Sequence, residues 1–279
     1  MRRSPYLEEI RRLDPVADHR RIVYLDVCFE FPFDTTRSLE VALFRTFAVP
    51  RIAELLDSTG EFAQRAQKRY DDTDLLLSAI VEDGYDSEAG KAAIRRMNRI
   101  HGRFAIENED FVYVLSTFVF EPIRWNARFG WRPLLDVERL ATFETWRQIG
   151  RRMRILDIPD TYEELERFNA EYERANFGFT KAGARVARAT RTMFLAWFPG
   201  IPRRLGERAI SAVLDDPLLD AVGFARPSAS ERRAVEAALR LRSRALRLLP
   251  PRRSPRLRTR MRRRSYPHGY DLETLGPPP

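Results

Sequence analysis

Apolar positions recur along most of this chain at three- and four-residue spacing, and alternating runs of β-branched residues are nearly absent. The first 34 residues carry mixed signals, and YLDVCFEFPF (24–33) reads as a short extended or irregular piece. From there the pattern is helical. Thr36 or Ser38 is placed to cap a helix bearing Leu39, Leu43, Phe44 and Phe47 before Pro50. Further runs cover about 51–58, Thr59 to about 82, and 87–104, the last opened by Ser87. Asn108, with Glu109 and Asp110 in the first turn, caps a run that is apolar on nearly all sides, which places it at the centre of the fold. Pro122 and Gly130 mark its weak C-terminal end. Asp136, Asp160 or Thr161, and Thr180 open three more helices, and two others are predicted near 202–214 and 229–248. The sum is an all-α chain of eight or more helices without βαβ spacing or internal repeat. No Gly-, Ser- or Pro-rich linker precedes residue 250. The expected organisation is an N-terminal segment (1–34), one helical domain (35–249) and an Arg/Pro-rich tail (250–279).

Composition narrows the classes. With 44% apolar residues the chain is not disordered, and the lone Cys28 excludes an internal disulfide and any multi-cysteine metal site. Three histidines, His19, His101 and His268, leave little for an all-histidine metal centre. Gly-rich phosphate loops, HExxH and GxSxG are absent. The formal charge of +9 suggests nucleic acid, but its distribution does not: residues 240–279 hold 12 Arg against Asp271 and Glu273, and the rest of the chain is near neutral. That basic stretch reads as a flexible, solvated tail separable from the rest, or as a contact for an anionic surface, lipid or nucleic acid, through residues 240–264. The N-terminus is charged throughout, and the longest charge-free apolar run, FVYVLSTFVF (111–120), is about half a membrane-spanning helix. A cytosolic location is therefore expected.

Three polar residues stand on apolar stripes. His101 follows Ile94 and Met97 and precedes Phe104 at helical spacing, which turns it inward. It is either a core histidine with both nitrogens hydrogen-bonded or a metal ligand. Arg69 and Thr73 fall one turn apart on the stripe Phe62, Ala66, Leu76 or Leu77, and Ile80. A guanidinium turned inward needs an anion. Asp72, Glu54 or Glu121 would make that an internal ion pair; otherwise an anionic ligand, an oxygen species or a cofactor carboxylate must meet it. Glu121, within an apolar segment, is placed to salt-bridge an arginine or to act as a buried acid or base. Trp125, Trp131, Trp146 and Trp197 read as core or pocket wall.

The segments KRYDDT (68–73), AIRRMNRIHGRF (93–104), NEDFVYVLSTFVFEPIRW (108–125) and FGWR (129–132) resemble an oxygenase family. That family includes the endoplasmic-reticulum-bound (mpaB-type) oxygenase of mycophenolic acid biosynthesis and the bacterial latex-clearing, rubber-cleaving proteins. Weaker similarity extends through 143–168 and to YPHGYDLETLGP (266–277). The resemblance implies a single globin-like helical domain binding haem b, with His101 as the proximal ligand and Arg69 and Thr73 on the distal side. Asp72 stands where the rubber-cleaving branch has lysine, which argues against polyisoprene as substrate. Glu54 is nearest by spacing to that branch's distal glutamate. The membrane-bound member has an N-terminal anchor, which is not expected here.

The implied activity is insertion of O₂ across a carbon–carbon double bond of a hydrophobic, prenylated or unsaturated lipid-like substrate, cleaving it to two carbonyl products. Two other readings remain at this point. One is a non-catalytic helical protein that binds lipid or a small molecule; the other is a nucleic-acid-associated protein acting through its basic tail.

Overall fold

Helix follows helix throughout the computed structural model, which describes residues 4–277. Helices α1 (Pro5–Ile10) and α2 (His19–Leu25) lead through a π-helical turn (Asp26–Glu30) into α3 (Pro32–Phe47), α4 (Pro50–Ser58) and α5 (Glu61–Asp83). Then come α6 (Glu88–His101), α7 (Asn108–Phe129), α8 (Asp136–Arg152), α9 (Tyr162–Asn176) and α10 (Lys181–Leu195). The chain continues through α11 (Arg203–Val213), α12 (Asp216–Ala221) and α13 (Ala229–Leu246). No strand occurs among the described residues, so the all-α expectation holds.

Several local expectations are corrected. Residues 24–33 are not extended: Leu25 ends α2 and Asp26–Glu30 form the π turn. Helix α3 therefore begins at Pro32, ahead of Thr36 and Ser38, because proline's fixed φ suits a first helical position. Asn108 does not cap α7 with its side chain. Its amide group spans to Leu156, donating to the carbonyl and accepting from the N–H, both at 2.8 Å. Helix α7 runs through Pro122 and stops at Gly130. By contrast, Thr161 makes a capping box with Glu164, and Ser87 and Thr180 each accept from the N–H three residues on.

Helix α7 is the hub, packed on α3, α8, α9 and α13. On one side Leu75, Ile80, Met97, Val119, Phe120 and Ile149 join α5, α6, α7 and α8 into one core. On the other, Phe44, Phe47, Phe129, Phe194 and Leu218 join α3, α7, α10 and α12. Helices α5 and α6 meet closely at their shared turn because Gly90 has no side chain. A Cβ there would lie 2.1 Å from the Gly84 carbonyl oxygen.

The C-terminal segment is not a solvated tail. It crosses the molecule as a strap from about residue 252 to 277. Arg258 pairs with Asp74 at 2.8 Å and its backbone N–H reaches Glu82, Arg263 pairs with Asp74, and the Tyr266 hydroxyl bonds Asp72. Lys68 donates to the Gly276 carbonyl at 2.9 Å, and Arg96 donates to that of Leu275. Leu275 is fully buried in the α5–α8 core. Gly276 lies at φ +94, where a Cβ would meet the Ile100 side chain at 2.5 Å. Acidic residues of α5 meet the arginines of the strap, so separability is not expected. Leu275→Ala should lower stability by roughly 2–5 kcal/mol, the usual range for emptying a buried leucine site, and a chain ended at residue 250 should lose more. Urea unfolding followed by circular dichroism measures both; an unchanged midpoint for Leu275→Ala would mean that the strap is not part of the core.

Candidate oxygenase site

Arg69, Thr73 and His101 come from the two helices that the strap holds together. Arg69 and Thr73 stand one turn apart on α5, just past a break in its helical geometry at Arg65 (φ −141, ψ 41). His101 is the last residue of α6, so Phe104 lies beyond the helix end rather than on it. The Asn98 side chain donates to the Arg152 carbonyl at 3.1 Å and ties this end of α6 to α8.

The guanidinium of Arg69 makes no ion pair among the described residues; it donates to the Thr73 hydroxyl and lies over the Phe62 ring, 5.6 Å from its centre. Thr73 in turn donates to the Arg69 carbonyl at 3.0 Å. Burial pulls the Arg69 pKa down, and the charges of Asp72 and Glu61 offset this only in part. Each carboxylate considered for it has other partners or lies elsewhere. Asp72 holds Lys68 (2.8 Å) and Tyr266. Glu121 is clamped at 2.8 Å by both Arg45 and Arg124. Glu54 is exposed on α4 and is not brought to the site. The internal ion pair is thus excluded, and Glu121 serves as a salt-bridge partner.

His101 contrasts with the other two histidines. His19 is a satisfied core residue, with Nε2 2.6 Å from the Tyr85 hydroxyl and Nδ1 2.6 Å from the Val16 carbonyl, and His268 is exposed. Nδ1 of His101 is buried and has no hydrogen-bond partner among the described residues. The ring meets Phe111 edge-on at 5.3 Å. Burial first, and the nearby Arg69 charge second, lower its pKa to about 4. Its imidazole is therefore neutral at physiological pH, as a metal ligand must be.

The side chains beside these residues are only half-buried. Half-buried positions follow helical spacing on three inward faces: Thr35, Leu39 and Leu43 on α3; Arg69, Thr73 and Leu77 on α5; Phe111, Val114 and Phe118 on α7. Helices α5 and α7 do not make the close backbone approach that joins α3 to α7 and α5 to α6. The face of α7 was missed by sequence reasoning because a lining residue and a core residue share the same periodicity. Trp146 lines a cavity of about 70 Å³ among α2, α3, α5, α7 and α8, and Trp125 is core. No group of three or more metal-ligating side chains occurs among the described residues. A haem iron needs one axial side chain, and His101 with its orphaned nitrogen fits that requirement.

Residues 39–247 match the family described as "ER-bound oxygenase mpaB/B'/Rubber oxygenase, catalytic domain". The chain belongs to that family. It is 28% identical over 240 residues to the ER-bound oxygenase mpaB' of Penicillium brevicompactum, covering 80% of this chain and 57% of that protein. It is 30% identical over 212 residues to the ER-bound oxygenase mpaB of Penicillium roqueforti (strain FM164), covering 69% and 71% respectively. The solved structure of latex clearing protein in the closed state shares the fold, with a TM-score of 0.60 at 15% identity over 89% of this chain and 73% of that one.

The expectation of a cytosolic location is overturned by these relatives, which are named ER-bound. It rested on the lack of an apolar span. No helix among the described residues is long and apolar enough to cross a membrane, but binding to a membrane does not require one.

The depressed pKa has a testable sign. An unfolded histidine takes up its proton near pH 6.5 and His101 in the folded chain near pH 4. Stability should therefore fall as pH drops from about 6.5 to about 4, and His101→Leu should remove that part of the slope. In the cofactor-free chain, ¹⁵N NMR should place the His101 titration near pH 4, and Arg69→Met should raise it. A value near 6.5 would show that the ring is solvated and does not face Arg69.

Proposed function

We propose that the chain is a haem-b-dependent oxygenase that cleaves a carbon–carbon double bond of a hydrophobic substrate. Its family membership supports this reading, and one observation carries it: a half-buried guanidinium without an ion pair among the described residues, whose charge reaches a neutral histidine with a buried, unpartnered Nδ1. Haem b, when bound, supplies the activation of O₂ for that cleavage. His101 would hold its iron, with a lone pair free of protons at any pH well above 4. Arg69 offers a fixed cation and N–H donors where negative charge develops, and Thr73 fixes its rotamer. The inward faces of α3, α5 and α7 exclude water and accept the apolar body of the substrate. Asp72 is engaged by Lys68 and the strap, so the position that carries lysine in the rubber-cleaving branch has a structural task here.

Peripheral contact with an anionic membrane belongs to the same reading, but over a shorter stretch than 240–264. Arg258 and Arg263 are taken up by Asp74. Leu241, Leu248 and Leu249 are exposed among the likewise exposed Arg240, Arg244, Arg252 and Arg253, which suits an acidic lipid surface.

Purified protein should show a Soret band that His101→Ala abolishes and His268→Ala leaves intact. Colourless wild-type protein that cannot be reconstituted with hemin would support a non-catalytic binding protein instead. Arg69→Ala should fold, keep its haem and lose on the order of 10²-fold in oxygen consumption with a prenylated test substrate. Full turnover in that variant would remove Arg69 from the mechanism. For the membrane contact, the double variant Leu248→Ser, Leu249→Ser should sediment less with phosphatidylserine-containing vesicles than wild type. Equal sedimentation would place the contact elsewhere.

A further inference from the structure

We propose that the turn between α10 and α11, residues 197–205, is an insertion element that docks on an anionic lipid bilayer, with Phe198, Ile201 and Leu205 among the acyl chains and arginines at the headgroups. Phe198, Ile201 and Leu205 are 51%, 47% and 62% exposed. They follow one another at three- and four-residue spacing, and every residue from Phe198 to Leu205 is exposed. Nothing lies within 4 Å of the point where a Cβ on Gly200 would stand. Single exposed apolar residues need no explanation, but three large ones at one tip mark a contact surface.

The tip stands on a fixed base. The Phe198 N–H donates to the Leu195 carbonyl and the Ile201 N–H to that of Phe198, both at 3.0 Å. Gly206 lets the start of α11 close on the end of α10, since a Cβ there would lie 2.4 Å from Leu195 Cδ2. The Trp197 indole N–H donates to Gln67 Oε1 at 2.6 Å, and its ring centre is 5.1 Å from that of Tyr70. A tip held in this way docks at less ordering cost than a mobile loop.

Charge selects the occupant. Residues 188–208 hold five arginines and one acid, Glu207, and that acid is engaged by Arg203 at 3.0 Å and Arg191 at 3.7 Å. Arg203 and Arg204 are exposed beside the tip, and the exposed Arg264 reaches it from the strap, donating to the Ala196 carbonyl at 3.4 Å. A second copy of the chain on this face would set arginine against arginine. Acidic headgroups over acyl chains complement both the cations and the apolar tip. Arginine stems are long enough to reach from one layer to the other. Gln67 and Tyr70 flank Arg69 on α5, so docking here would bring apolar molecules dissolved in the bilayer beside the candidate site. That consequence alone rests on the oxygenase reading; the docking itself does not involve the haem, and its test reads no haem signal.

Gly200→Cys in the full chain, labelled with a thiol-reactive nitrobenzoxadiazole dye, reports on this tip and not on Leu248 or Leu249. Native Cys28 is fully buried and burial pushes its thiol up to about 12, so it stays unlabelled. With equimolar phosphatidylcholine–phosphatidylserine vesicles the dye emission should shift to the blue, rise several-fold and be quenched by lipids spin-labelled on the acyl chain. Phe198→Ser, Leu205→Ser should abolish the shift. Arg203→Gln, Arg204→Gln should weaken vesicle binding on the order of 10-fold, the range for two basic residues at an anionic surface. All four of these side chains are exposed, so the variants should keep the wild-type circular dichroism. Emission unmoved by the vesicles, even where the chain sediments with them, would overturn the proposal. So would an equal response to phosphatidylcholine alone. A blue shift that grows with protein concentration in the absence of lipid would assign the face to a second copy of the chain, and would overturn it as well.

Discussion

A guanidinium inside a helical interior with no carboxylate of its own is the constraint on which the rest of this structure turns. An unpaired interior cation is costly, and the surroundings of Arg69 do not relieve it: its nearest partner is the neutral Thr73 hydroxyl. Acids are close at hand, yet Glu61 is drawn off by Arg65 and Asp72 by Lys68 and Tyr266. The charge is thus left available to whatever enters the space between α5 and α7. It also acts on His101, where it reinforces burial in keeping the ring unprotonated.

Keeping Arg69 and Thr73 beside His101 requires α5 and α6 to be fixed to each other, and the strap grips both. Its anchors alternate between the helices: Asp71, Asp72, Asp74 and Lys68 on α5, then Arg96 and Ile100 on α6. Among the residues it grips, Lys68 lies one position from Arg69, Asp72 and Asp74 one from Thr73, and Ile100 one from His101. Neighbours on a helix point about 100° apart, so the same turn offers one side chain to the strap and the next to the interior. The arginine richness of the C-terminus, read in isolation, suggested solvent or polyanions. In the fold Arg258 and Arg263 pair with the acids of α5.

How much of this was legible in the sequence depends on what kind of signal each feature leaves. Helices with caps were visible, since Thr161 and Glu164 or Ser87 announce themselves locally. The inward direction of Arg69, Thr73 and His101 followed from spacing alone. Whether Arg69 found an anion did not, because Glu121 is committed to Arg45 on α3, a partner set by tertiary packing. The packed strap was missed for a similar reason: Pro and Arg suppress helix and suggest exposure, but a strap needs no regular structure when side chains from another element satisfy its backbone. The π turn left no pattern at all.

The polar groups of the site bear on what it holds. Arg69 is a cation without an ion pair among the described residues and His101 is neutral, while Leu77, Phe111 and Phe118 on α5 and α7 are half-buried and apolar. A cationic ligand there would add a second uncompensated positive charge, and burying one is already unfavourable. The apolar body of a hydrophobic substrate meets no such difficulty, and in the proposed reading it leaves the guanidinium free for the negative charge that develops during the reaction.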